Sequence, residues 1–276
     1  MTIPRMATPL TLACLAPAAV AQSPDAASLA QRLITSCGLS VQLPGFAGQM
    51  KAQMEELRSQ VDAAIVPALA EAALEAFRPD VLEADILGDI QQRLSIEDMN
   101  AALAFLDTPA GRRVTRSEEQ ASTRTPAELE QYVRELQQKS PRDARLSLVQ
   151  ELIAASYIED ITVRGMQAIA LGVALGMDST QPRERRIGRA NLERQVKKAL
   201  PEEEIKQDLR LSLPVGYLYT YRNIDDADLR AYLRFLRSPS GKRYTEQMTE
   251  AFMGALVRAS VRLGKLVDQR NLKQPA

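Results

Sequence analysis

Apolar residues recur at spacings of three and four along nearly the whole chain. Phe46, Met50, Met54, Leu57 and Val61 form one series. Leu82, Ile86, Ile90 and Leu94 form a second, and Tyr244, Met248, Phe252 and Leu256 a third. This period puts each series on one face of an α-helix. No long run alternates Val, Ile or Thr with polar residues, so no sheet is predicted. Start signals agree with helices. Thr125-Pro126-Ala127-Glu128 offers an N-cap, a proline at the first helical position and a glutamate at the third. Ser95-Ile96-Glu97-Asp98 opens a helix in the same way with Asp in place of Glu. The pattern predicts an all-α fold.

A longer-range pattern overlies the helical one. Ala101-Ala102-Leu103-Ala104-Phe105-Leu106-Asp107-Thr108-Pro109-Ala110-Gly111-Arg112-Arg113 returns 130 residues later. There it reads Ala231-Tyr232-Leu233-Arg234-Phe235-Leu236-Arg237-Ser238-Pro239-Ser240-Gly241-Lys242-Arg243. Leu33-Ile34 and Leu152-Ile153 are offset by 119, so the second half carries about eleven extra residues, expected near Met177 to Pro201. The chain therefore reads as two related multi-helix repeats, 22–140 and 141–276, packed into one helical body. Residues 22–140 hold 11 basic and 18 acidic side chains, and 141–276 hold 23 and 17. Such a division suits two halves that attract each other, two solvated faces, or a basic face for an anionic partner.

The repeated unit has a physical meaning. One helix ends, Thr108 or Ser238 caps the next, and Pro109 or Pro239 takes the first helical position, where a missing N–H costs nothing. Gly111 and Gly241 fall at the third helical position, where glycine costs about 1 kcal/mol unless close packing requires it. The first reading is a structural corner. The second is an anion site at a helix N-terminus, using Ser238, Lys242 and Arg243.

The stretch from Tyr219 to Asp228, leading into Tyr232-Leu233-Arg234-Phe235-Leu236-Arg237-Ser238-Pro239-Ser240-Gly241-Lys242-Arg243-Tyr244, resembles an exported bacterial family, domain of unknown function number 2059. The stronger likeness runs from Leu213 to Gly264. The first copy is weaker, with Asp107-Thr108 for Arg237-Ser238 and no tyrosines. The resemblance implies an exported, all-helical protein and transfers no catalytic residue.

Met1 to Ala21 reads as a cleaved export signal: Arg5, an apolar run from Ala7 to Val20, and Ala19-Val20-Ala21 before a mature start at Gln22. It is too short for a permanent membrane anchor, and the expected location is the periplasm. Loss of Cys14 with the signal leaves Cys37 as the sole cysteine, expected as a small buried hydrophobe.

The 276 residues are 45% hydrophobic and 25% charged, enough for a packed core. There is no histidine, which excludes Ser-His-Asp and Cys-His chemistry and histidine metal sites. Thirty-five basic residues balance 35 acidic ones, so nothing points to nucleic acid. Tyr217, Tyr219, Tyr221, Tyr232 and Tyr244 gather five of the seven tyrosines; core filling and partner stacking both suit them. Gly165 to Met177 is uncharged and suggests a central helix buried all round, with Gly172 and Gly176 allowing close approach. Arg183, Arg185, Arg186, Arg189, Arg194, Lys197 and Lys198 form a basic segment. It is expected to be solvated and answered by Glu202-Glu203-Glu204, or else to contact an anionic surface. Asp225-Asp226 and Glu97-Asp98 read as helix-start residues. No catalytic, cofactor-binding or metal-binding residue is assigned. The expectation is a non-catalytic envelope protein that binds a macromolecule. The rivals are an envelope-acting hydrolase or transferase with a carboxylate site, and a structural or stress-related periplasmic protein.

Overall fold

A computed structural model describes residues 24–56 and 66–270. The export-signal residues, Cys14, the Gln22 start, and Leu57 and Val61 of the first apolar series lie outside the described residues. Within them the chain is helical throughout, with no strand. The order is α1 Pro24–Ser36, α2 Leu39–Glu56, α3 Val66–Ala76, α4 Pro79–Arg93, α5 Ile96–Leu106, α6 Pro109–Ser122, α7 Pro126–Gln138, α8 Asp143–Ser156 and α9 Ile158–Ser179. A 3-10 turn at Arg183–Arg185 follows. Then come α10 Arg189–Ala199, α11 Glu202–Thr220, α12 Asp226–Arg237 and α13 Pro239–Gln269. The turn and α10 lie in the stretch from Met177 to Pro201.

The predicted caps form. Ser95 Oγ accepts from Asp98 N at 3.0 Å to open α5. Thr125 and Glu128 make a reciprocal capping box at α7. One main core joins α1, α3, α4, α5, α12 and α13, with Leu33, Phe77, Leu82, Ile86, Ile90 and Leu229 wholly buried. Each such side chain contributes about 1.5–3 kcal/mol of transfer free energy.

The 31-residue α13 is the spine and packs lengthwise against α9. Small residues set that contact. A Cβ on Gly176 would lie 2.3 Å from Val261 O, and one on Gly264 2.1 Å from Val173 O. The backbones therefore meet where no side chain fits. The sequence expectation of an all-round buried α9 needs correcting: only Val163, Gly165, Gly172 and Gly176 are buried, and Met166 is 41% exposed. The physical reason is that α13 covers only the small-residue face, while the partners on the other faces, α10 and α11, leave the larger apolar side chains half-covered.

Opposite charge joins the two halves. Arg258 on α13 reaches Asp89 of α4 at 2.9 Å and Asp85 at 3.1 Å. Arg262 reaches Asp85 at 3.3 Å, and Arg270 pairs with Glu75. Two further pairs are reciprocal at the 130-residue offset. Arg113 binds Asp228 at 2.6 and 2.8 Å, and Arg243 binds Asp98 at 2.7 Å. Phe105 and Phe235, also 130 apart, stack with centroids 4.5 Å apart and planes 7° from parallel. The stretches 98–113 and 228–243, offset by 130 in the sequence, thus lie close together in the body.

Candidate functional site

The two corners adopt one geometry. Thr108 has φ −69°, ψ 158° and Ser238 has φ −69°, ψ 156°. Each hydroxyl accepts from the N–H of the glycine three residues on at 3.0 Å and donates to a phenylalanine carbonyl at 2.7 Å. Both hydrogen-bonding roles of Ser238 are thus met inside the protein. A Cβ on Gly241 would lie 1.8 Å from Phe235 O, and one on Gly111 2.3 Å from Phe105 O. Glycine is there because the last turn of the preceding helix fills the space. Pro109 and Pro239 each stand at the start of the following helix.

The proposed anion residues are not brought together. Arg243 is held by Asp98, whose carboxyl this pairing lowers below its ordinary pKa. Lys242 lines a cleft of about 380 Å³ beside Glu246 and Glu250. Arg186 donates to the carbonyls of Ser179 at 2.9 Å and Gln181 at 3.0 Å, closing the C-terminus of α9. Arg189 pairs with Glu193 at 2.7 Å, and Arg185 is exposed in the 3-10 turn. Glu202, expected with its neighbours to answer the basic segment, pairs instead with Lys206 at 2.6 Å, because the two stand one turn apart on α11.

Four of the five clustered tyrosines surround a residue that sequence reasoning missed. Glu118 lies on the inner face of α6, in step with Gly111, Val114 and Thr115. That three-and-four spacing was the available signal. Tyr221 donates to Glu118 Oε1 at 2.6 Å, and the Tyr232 hydroxyl faces the same carboxyl. Burial raises the Glu118 pKa to about 7, against the lowering effect of the two hydroxyls. Burial first, then the nearby carboxylate, pushes Tyr221 and Tyr232 well above the ordinary tyrosine value. Tyr217 meets Ser156 at 2.7 Å and is raised by burial to about 12. Cys37 Sγ donates to Ile34 O at 3.3 Å, and burial raises that thiol to about 11. A protonated thiol is a poor nucleophile. The fifth tyrosine, Tyr219, packs edge-on against Tyr132 beneath the guanidinium of Arg222, 3.9 Å from the ring centroid.

A second grouping lies on the surface. The groove between α8 and α12 holds a cleft of about 320 Å³ whose lining includes Arg230, Arg234 and Arg237, with Leu148 and Leu233 beneath. Spacings of four and three put the three arginines on one helical face. Glu151, the one carboxylate lining the cleft, takes Arg237 at 2.8 Å. Arg230 and Arg234 are exposed. At the 130-residue offset their counterparts are Asn100, Ala104 and Asp107, so the stripe belongs to the second half alone. Among the described residues no group of three or more Cys, Asp or Glu side chains is placed to hold a metal ion. No helix among them is long and apolar enough to cross a membrane.

Among the described residues the fold is all-α. The family model described as an uncharacterized protein conserved in bacteria (DUF2059) matches residues 80–139, which run from α4 through α7. The match falls on the first corner rather than on the stretch from Leu213 to Gly264, where the sequence likeness was expected to be stronger. Searches of curated proteins and of solved structures return no match.

Proposed function

We propose that this protein is an exported, non-catalytic binding protein of the cell envelope, built from two divergent copies of one helical unit. The observation that carries the binding reading is the arginine cleft. Arg230 and Arg234 stand exposed in a surface recess whose lining holds one carboxylate, already engaged by Arg237. Elsewhere Arg113, Arg145, Arg243, Arg258 and Arg262 are all spent on holding helices together. The two-copy reading draws support from the reciprocal Arg113–Asp228 and Arg243–Asp98 pairs, the Phe105–Phe235 stack and the matching corners. Export rests on the Met1–Ala21 pattern.

The test is cross-linking in intact cells. A photoreactive side chain at the exposed Ala227, on α12 ahead of Arg230, captures a defined envelope species if the reading holds. Uniform background capture, equal to that from an exposed control position on α7, contradicts it.

One observation favours a second reading, an enzyme with a carboxylate site. Glu118, with a pKa of about 7 and the Tyr221 hydroxyl on it, has the poise of a general acid. Against it, Glu118 lines none of the clefts described above, and the hydroxyl that touches it is the protein's own.

A further inference from the structure

The α8–α12 cleft has a chemistry that the binding reading alone does not name. We propose that it is a phosphate-binding site, with Arg230 and Arg234 as the ligand-holding residues and Arg237 as a third donor held in place by Glu151. This rests on the binding reading above and assigns its ligand class.

The argument starts from charge. Arg237 and Glu151 pair at 2.8 Å and cancel. Arg230 and Arg234 remain exposed and uncompensated within the lining, leaving about two positive charges over one small recess. Helix electrostatics explains part of this, since cations are favoured in the last turn, where Arg234 and Arg237 stand. It does not explain Arg230, which lies two turns before the end of α12 and nearer the acidic first turn of Asp226 and Asp228.

Geometry then narrows the ligand. Positions 230, 234 and 237 share one helical face, and all three side chains line the same recess from different heights along the axis. A carboxylate is satisfied by a single guanidinium fork. A phosphate has oxygens on several sides, accepts from two or three forks together, and suits guanidinium better than ammonium. The recess of about 320 Å³ takes a phosphate and the groups next to it. Leu148 and Leu233 form an apolar floor that keeps the arginine stems upright. The first half, with Asn100, Ala104 and Asp107 at the matching places, lacks the site, so the two halves differ in charge here.

Two sources present this chemistry: a soluble phosphate ester and a phospholipid headgroup. The experiment uses the full chain and Arg230→Gln/Arg234→Gln, whose fold is checked by circular dichroism. In one arm the melting temperature is followed against pyrophosphate, with sodium chloride at matched ionic strength as control. In the other, sedimentation with phosphatidylglycerol vesicles is compared with phosphatidylcholine vesicles. A pyrophosphate-specific rise in melting temperature that the double variant loses supports the site and a soluble ligand. Sedimentation with the anionic vesicles, weakened about 30-fold in the double variant, supports the site and a lipid headgroup. Equal behaviour of wild type and variant in both arms overturns the assignment. So does Arg-dependent binding of polyglutamate without any response to pyrophosphate or vesicles, which makes the partner an acidic protein. Failure in both arms with specific capture from Ala227 in cells overturns only the ligand class. Failure of both experiments overturns the binding reading itself.

Discussion

Replacing Glu118 by Gln tests the interior directly. The carboxyl has a pKa of about 7 in the folded protein against an unperturbed value of 4.5, with burial as the main cause. A group whose pKa is raised on folding binds more protons folded than unfolded between those two values. Its folded form is therefore favoured at low pH, and the advantage is lost as pH rises through 7. Linkage over that interval gives about 2.5 kcal/mol lost between pH 5 and pH 8. Glu118 keeps some accessible surface although its carboxyl lies deep, so water weakens the shift and 2.5 is an upper figure. The surrounding groups do not titrate in that window: Tyr217, Tyr221, Tyr232 and Tyr244 are all raised from 10, and Cys37 is raised to about 11. Glutamine keeps an oxygen for the Tyr221 hydroxyl and cannot ionise. Urea unfolding at pH 5, 6, 7 and 8 should therefore show the stability of Glu118→Gln relative to wild type rising by up to about 2.5 kcal/mol from pH 5 to pH 8. A constant difference across the series would falsify the reading of Glu118 as a buried carboxyl that ionises near neutrality.

Other outcomes follow from the corners and the halves. Gly241→Val should cost about 2–3 kcal/mol in urea unfolding, since its Cβ has no room beside Phe235 O, while Lys242→Ala stays within about 0.5 kcal/mol; a tolerated valine contradicts the corner. Residues 22–140 and 141–276 expressed apart should each lose cooperative unfolding, because Asp85, Asp89, Asp98 and Asp228 all find their partners in the other half; two independently stable halves contradict this. N-terminal sequencing of the exported protein should begin at Gln22, and a retained Met1 refutes cleavage.

What was legible in the sequence is what is local. The all-α fold, the Thr125 box and the Thr108 and Ser238 caps depend on residues within one turn of each other. The close crossing of α9 and α13 was half legible: Gly172 and Gly176 announced it, but not that Gly264 answers from 88 residues away. The exposure of the rest of α9 depends on how much of it α10 and α11 cover, which no local pattern encodes. Glu118 was hidden because Glu118-Glu119 looks like any charged pair; only its register with Val114 and Thr115 separates the inward acid from its neighbour. The arginine stripe was written openly as 230, 234 and 237. The basic run from Arg183 is denser in sequence, but Arg186 and Arg189 within it are used locally, and only the fold shows that α12 lays its arginines along a recess.

The central claim is that the protein works by binding through α12 and not by chemistry at Glu118. Cross-linking from Ala227 in intact cells should be run in parallel on wild type, Arg230→Gln/Arg234→Gln and Glu118→Gln. The account predicts that the arginine variant loses the captured species and the glutamine variant keeps it. Capture that survives loss of both arginines but disappears with Glu118→Gln contradicts the account.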